Sequence, residues 1–359
     1  MNRIDRYTSW LFLGFFLGGL LVFLTIFTAL DAMSTMVNYK NLAPSSLLSY
    51  YLFSLPETVQ RLLPVACLLG TIMTLATMNK ANELVALFAS GMSLLRVMLP
   101  SFIWIILISI LGYWSADQLL PKANRQKNFI YYYEIKKEPH RFSTIKTDRI
   151  WYRSKNSIFN IQTLNAKGDG AQGLTMYFFN EDWDLVQMMT AKKVTIKGAQ
   201  WLLENGAVTV FSKDSSFPLT TNFKNKSIVM NEDSKDLQSA GQTADMMSQS
   251  ELKHFIAKNR AAGLDTVAYE VDYHAKISFA FAGLVMSLLG LPFSVGKARS
   301  GGTILSAGVA LALVFAYYVF YSSGITLGQH GTIPPVVAAW APNIVMVSLA
   351  FVLLKRLKR

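Results

Sequence analysis

The chain has 359 residues, of which 52% are hydrophobic and only 16% charged, and it carries a formal charge of +12. Soluble domains hold roughly 25% charged residues, so this composition excludes an ordinary soluble globular protein. The basic balance comes without a basic–aromatic motif, which argues against nucleic acid as a partner. The only cysteine, Cys67, excludes an intramolecular disulfide and leaves a cysteine-based metal site unsupported.

Apolar runs occur at Tyr7–Leu30, Leu62–Met78, Val97–Ala116, Ile277–Val295, Thr303–Leu327 and Ile333–Leu354. Each approaches or exceeds the ~20 residues that a helix needs to cross a bilayer core. The first is too long for the apolar region of a signal peptide and lacks a small-residue cleavage site before Asp31, so it is expected to be retained. Gly14 and Gly18 in this run make a G-x-x-x-G that would let another helix approach closely, although Gly is common in membrane helices. Asp31 and Arg61 occur near the outer ends of spans one and two. They are either interfacial residues reaching water or the lining of a cavity that holds a polar substrate group.

Between spans two and three the sequence reads NKANELVALFASG (79–91). Leu84, Leu87 and Phe88 fall at i, i+3 and i+4 and share one face. Glu83 sits in the first turn, where it favours the helix dipole, and Gly91 ends the helix. Two readings fit, a helix docking into a protein and a helix lying on lipid. The second usually carries Lys or Arg on its polar face, and none occurs between Lys80 and Arg96.

Residues 117–270 change character. Short β-forming runs follow one another without intervening helices, from RIWYRS (149–154) to QWLLENGAVTVF (200–211). This pattern predicts an antiparallel sandwich or jelly roll, with a hairpin turn at ENG (204–206). Ser248 and Glu251 form a capping box before a short helix that ends near Gly263. The expected organisation is 1–116 with three membrane helices and a short helix at about 81–91, 117–265 as the β domain, and 266–359 with three more. Lys and Arg beside the short loops put both termini in the cytoplasm and the β domain outside.

Catalytic patterns are weak. The four histidines are scattered without metal-ligand spacing, and no nucleophile-elbow sequence occurs. GLPFSVGKA (290–298) has five residues between its glycines and no Ser or Thr after Lys297, so it is no phosphate loop. Glu181, Asp182 and Asp184 in NEDWD (180–184) could serve a membrane-tethered enzyme acting on envelope polymers, but a turn explains them. A scaffold without transport is a further alternative, which would not need a cytoplasmic docking helix. With acidic or histidine relays nearly absent from the spans, coupling to an ion gradient is not expected.

A permease without its own ATP site can be driven by a separate ATPase seated on a cytoplasmic helix. ELVALFASG (83–91) resembles the coupling helix of the LptF/LptG permease family of the lipopolysaccharide exporter. IDRYTSW (4–10), SLPETVQRLLPVACLLG (54–70) and GTIPPVVAAWAPN (331–343) are similar to the entries of spans one, two and six in that family, more like the LptG branch than LptF. The resemblance implies six transmembrane helices with a periplasmic antiparallel β-jelly roll between helices 3 and 4, in the bacterial inner membrane. It implies an ATP-driven (ABC) exporter that takes lipopolysaccharide from the outer leaflet and passes it through jelly rolls toward the outer membrane. Partners would be an LptB-type ATPase dimer, an LptF-type permease, an LptC-type bridge protein, lipopolysaccharide and membrane lipids. This chain would hold no cofactor, with ATP and Mg bound by the ATPase.

Glu83, Leu84, Leu87, Phe88 and Gly91 would then couple to the ATPase. The positions corresponding best to the family's basic rim are Lys40, Arg125 and Lys127. The family's lysine in the last turns of span one is missing from TIFTALDAM (25–33), which has only Asp31. Phe27 and a stripe of Phe315, Tyr318 and Val319 on span five are expected to hold acyl chains.

Overall fold

The structure, a computed structural model, describes residues 3–39, 42–137, 150–154, 156–164, 170–211, 217–230, 243–261, 263–295 and 298–357. Two compact units result: Met1–Lys127 with Val267–Arg359, and Asn128–Thr266.

The first unit is helical: α1 (Arg3–Asn38), α2 (Pro44–Lys80), the short α3 (Glu83–Ala89) and α4 (Leu94–Trp114). A wide π turn at Ser115–Leu119 carries α4 on into α5 (Leu120–Ile130). After the second unit, which contains α6 (Gln249–Ala261), come α7 (Val267–Ala280), α8 (Ala282–Val295), α9 (Ala298–Gln329) and α10 (Pro335–Leu357). Among the described residues five helices are long and apolar enough to cross a membrane; α7 with α8, bent by 49°, makes a sixth if the pair is one span. The chain is a multi-pass membrane protein.

Helix α2 is the centre of this unit, with Leu68, Ile72 and Leu75 fully buried. Thr71 and Thr74 bury their hydroxyls by donating to the carbonyls of Cys67 and Gly70, four residues back (2.9 and 2.7 Å), so neither hydroxyl is orphaned. Contact between α1 and α2 runs through Gly19: a Cβ there would stand 2.5 Å from Leu69 Cδ2. Gly14 and Gly18, the expected close-packing pair, have nothing within 4 Å of such a Cβ, so among the described residues that motif packs against no helix of this unit.

The α7–α8 break lies at Phe281, where the normal ladder is interrupted, and a side chain answers the Ser278 carbonyl beside it. Asn343 Nδ2 of α10 donates to that carbonyl at 2.7 Å, and Tyr317 Oη of α9 donates to Asn343 Oδ1 at 2.9 Å. Both side chains are buried, where an unmet hydrogen bond is costly. Asn343 is the last residue of the GTIPPVVAAWAPN stretch, which thereby acquires a structural reason.

The second unit is an antiparallel sheet of six strands: β1 (Ile150–Ser154), β2 (Ser157–Leu164), β3 (Gly170–Phe179), β4 (Leu185–Lys197), β5 (Gln200–Val210) and β6 (Leu219–Val229). Their order is β1-β2-β3-β4-β5-β6, each beside its sequence neighbour. The expected antiparallel β domain is present, but the described strands form a meander and not the crossed connections of a jelly roll. One face carries the core, with Phe159, Met176, Met189 and Val208 side by side in register. Trp201 is fully buried with its ring edge-on to Phe159 at 5.4 Å.

The inward positions shift parity along each central strand. Leu174 and Ala171, Ala191 and Val194, and Gly206 and Leu203 all face inward or lie on the inward line, three residues apart where strict alternation allows two or four. The ladder skips Gly173, Lys192 and Asn205 among the described residues, and Gly173 (φ 66°) and Asn205 (φ 52°) are left-handed. The result is a crease running across the strands. It accounts for the ENG stretch, which is no hairpin turn: β5 runs straight through it. Gly206 is needed because a Cβ would lie 2.0 Å from the Thr190 carbonyl oxygen and 2.4 Å from Phe223 Cζ. The hairpin lies instead at residues 198–199, between paired Lys197 and Gln200. NEDWD is a turn, as expected: Asn180 Oδ1 accepts from Asp184 N at 2.8 Å, and Trp183 is left-handed.

Candidate functional site

A cavity of about 550 Å³ opens in the helical unit between α1, α2, α5 and α9. Helix α1 lines it with Phe23, Phe27, Thr28 and Asp31, one helical face by spacing. Helix α9 contributes Leu311, Val314 and Tyr318, again one face. From α2 come Tyr50, Tyr51, Glu57, Arg61, Leu62 and Val65, and from α5 Lys127. Helices α1 and α2 are consecutive and antiparallel, so Phe23 and Val65 are at one end of the cavity, and Asp31, Tyr50 and Tyr51 at the other. The cavity is thus apolar at one end and polar at the other.

The polar end is already paired. Tyr51 Oη donates to Asp31 Oδ2 at 2.8 Å and lies 3.0 Å from Thr35 Oγ1. Glu57 takes two cations at once: Arg61 Nη2 on Oε1 and Lys127 Nζ on Oε2. The Glu57 and Lys127 side chains are only 20% and 15% exposed, whereas Arg61 is 72% exposed. Tyr318 Oη of α9 donates to the Arg61 carbonyl, fixing that turn of α2 against α9. Asp31 and Glu57 balance Arg61 and Lys127, so the described lining has no net charge.

The second candidate feature is α3. Asn82 precedes it with φ 60°, and Gly91 ends it with φ 85°, a left-handed residue that lets Met92 N reach the Leu87 carbonyl at 3.1 Å. Leu84 is fully buried against Leu75, Met78, Val97 and Met98, and Leu87 packs on the same cluster. Phe88 (36% exposed) and Val85 form the outward side. The face read from spacing is therefore divided: Leu84 and Leu87 anchor α3 to its own unit, and Phe88 is left for a partner. Tyr7 Oη donates to Glu83 Oε1 at 3.0 Å, while Glu83 Oε2 is buried with no hydrogen-bond partner among the described residues. Beside it Arg96 grips Asp5 through two nitrogens, at 2.9 and 3.4 Å. Asp5 and Tyr7 both belong to the IDRYTSW stretch, which thus cradles α3.

Across residues 6–356 the chain matches the family model described as lipopolysaccharide export system permease LptF/LptG. It belongs to the LptF/LptG family. Over 319 residues it is 25% identical to the lipopolysaccharide export system permease protein LptG of Escherichia coli K12, covering 86% of this chain and 84% of that protein. To LptG of Haemophilus influenzae it is 24% identical over 315 residues, 84% of each chain. Members of this family are permease subunits of lipopolysaccharide export and not themselves enzymes.

On this LptF/LptG chain the cavity brings together Phe27, Asp31, Lys127 and Tyr318 of the residues expected to meet substrate. Lys40 lies outside the described residues. Arg125 is on α5 but does not line the cavity, and it has interactions of its own. Phe315 (72% exposed) and Val319 turn away from it. The stripe on α9 is displaced by about one residue, to Leu311, Val314 and Tyr318. Glu57, Tyr50 and Tyr51 were missed by sequence reasoning. Glu57 and Arg61 at i and i+4 on a predicted span were the available signal.

Proposed function

We propose that this chain is the LptG-type transmembrane subunit of an ATP-driven (ABC) exporter that takes lipopolysaccharide from the outer leaflet of the bacterial inner membrane. The observation that carries the reading is the two-ended cavity. Its apolar end suits acyl chains, and its polar end, with Arg61 and Lys127, suits a phosphorylated sugar headgroup. The LptF-type subunit of the same exporter is the alternative; the LptG names of the similar proteins favour the first reading.

The β unit would face the periplasm, leaving α3 and both termini in the cytoplasm. Lys355 and Arg356 in the last turn of α10 agree with that orientation. Phe88 and Val85 would seat in an LptB-type ATPase, whose own site binds ATP and Mg; no cofactor is assigned to this chain. An LptF-type permease would complete the membrane part, and an LptC-type protein would receive the lipid from the β unit.

Purification in mild detergent tests the assembly: an ATPase and a second multi-span chain should co-purify. A photo-crosslinker at Val314 should capture lipopolysaccharide from cells. Recovery of the chain alone, with lipopolysaccharide captured no better from Val314 than from Trp10 (an exposed residue of α1 away from the cavity), would refute the proposal.

A further inference from the structure

Two cations at the mouth of a lipid cavity are normally counted as an anion site, yet here both are already paired with one carboxylate. We propose that Glu57 is a resident counter-anion, which a phosphate on the lipid headgroup displaces from Arg61 during loading and which regains Arg61 on release. The inference rests on the lipopolysaccharide reading of the cavity and adds the reason that binding there is reversible.

The geometry divides the two cations. Lys127 is 15% exposed and directed at Glu57 Oε2, a nearly sequestered pair that holds α5 against α2. Arg61 is 72% exposed and reaches Oε1 through Nη2 alone, a one-point contact between residues four apart on the same helix. A guanidinium prefers two parallel bonds to an oxyanion. A tetrahedral phosphate entering the cavity can offer that fork, and Glu57 at i−4 cannot in this conformation. Arg61 is also the partner able to move, since its side chain is held by Glu57 at one point and the Tyr318 hydroxyl holds only its backbone. The exchange replaces one ion pair with another, so the headgroup gains specificity without becoming trapped. Two bare cations would hold a phosphate more tightly than an exporter can use, because a transported ligand must be bound weakly enough to leave.

The sign of the expected effect is unusual: removing an acidic residue should strengthen anion binding and slow transport. The full-length chain, with its co-purifying partners, is titrated in detergent with bis-phosphorylated lipid A, with phosphate-free lipid A and with inorganic phosphate alone. Glu57→Gln should bind the phosphorylated lipid about fivefold tighter, by the size of a single ion-pair difference in a partly exposed site. Phosphate-free lipid should bind unchanged. Release of the phosphorylated lipid should slow in proportion.

Lys127→Gln should weaken the phosphorylated lipid about tenfold, because Glu57 then serves Arg61 alone. Adding Glu57→Gln to Lys127→Gln should restore binding, and this comparison stands even where Glu57→Gln alone folds poorly. Equal or weaker binding by Glu57→Gln, with no rescue in the double variant, overturns the proposal. So does tightening for inorganic phosphate with none for the lipid. Val314→Trp, which fills the apolar end, separates the two levels. If it leaves both lipids bound as before, the cavity reading fails and this inference with it. If it abolishes binding while Glu57→Gln has no effect, only the counter-anion role fails.

Discussion

Replacing Asn343 by Leu keeps the size of the side chain and removes both of its hydrogen bonds. In the native chain its amide nitrogen donates to the Ser278 carbonyl at 2.7 Å, and its oxygen accepts from Tyr317 Oη at 2.9 Å. Tyr317 is fully buried and Asn343 nearly so, so the orphaned Tyr317 hydroxyl has no water to turn to. A buried polar group left unmet costs about 1–3 kcal/mol in soluble proteins. Measured couplings between membrane helices are smaller, averaging about 0.6 and reaching about 1.7 kcal/mol. One orphaned hydroxyl and one carbonyl reduced to a single bond, from Phe281 N at 3.1 Å, place Asn343→Leu at about 1–2 kcal/mol. The Tyr317–Asn343 coupling alone should be about 1 kcal/mol. Unfolding in mixed detergent–SDS micelles measures both, through a cycle of Asn343→Leu, Tyr317→Phe and the double variant. The double variant should be less destabilised than the sum of the singles. Additivity within about 0.3 kcal/mol, or an Asn343→Leu variant as stable as the parent, would show that the network does not hold the bent span.

Leu84→Asp should reduce the folded yield in detergent, because an isolated buried carboxylate costs several kcal/mol. Phe88→Asp should leave the yield intact while less ATPase co-purifies; equal behaviour of the two variants contradicts the division of the α3 face. Gly206→Val should destabilise the β unit by about 3 kcal/mol, since its side chain would meet the Thr190 carbonyl and the Phe223 ring, and a denaturation midpoint equal to the parent's argues against the crease. Photo-crosslinkers at Leu311 and at Phe315, four apart on α9, should differ: the first captures lipopolysaccharide, the second bilayer lipid or a neighbouring chain. Capture of lipopolysaccharide equally from both rules out the one-sided cavity.

Much of this molecule was legible before any coordinates. Length and apolarity identify membrane helices, because hydrocarbon leaves the backbone no partner but itself. Thus the apolar runs correspond to α1, α2, α4, the α7–α8 pair, α9 and α10. Runs of β-formers identified β1 to β5 but not the polar β6 (Leu219–Val229), and a first-turn Glu with a terminal Gly bounded α3 at Glu83 and Gly91. Orientation of faces was not legible. In a soluble helix the polar side marks the solvent; a membrane helix is apolar all round, so its sequence does not distinguish lipid from core or cavity. Phe315 and Val319 were therefore as plausible a lining as Leu311 and Val314, and only packing against α2 chose between them. Leu84 and Leu87 share a stripe whose partner turned out to be their own unit.

The ENG stretch reads as a hairpin by local rules, and it runs through a strand because β4 and β6 lie on both sides of it. Glu57 and Lys127 are 70 residues apart, and nothing local joins them. The sequence by itself determined which segments are helix, strand and membrane, since those follow from near-neighbour sterics and solvent. Only the tertiary structure decided which charges meet and which faces are hidden. Those depend on distances across the fold, and the energy of a charge pair in a low-dielectric cavity changes steeply with them.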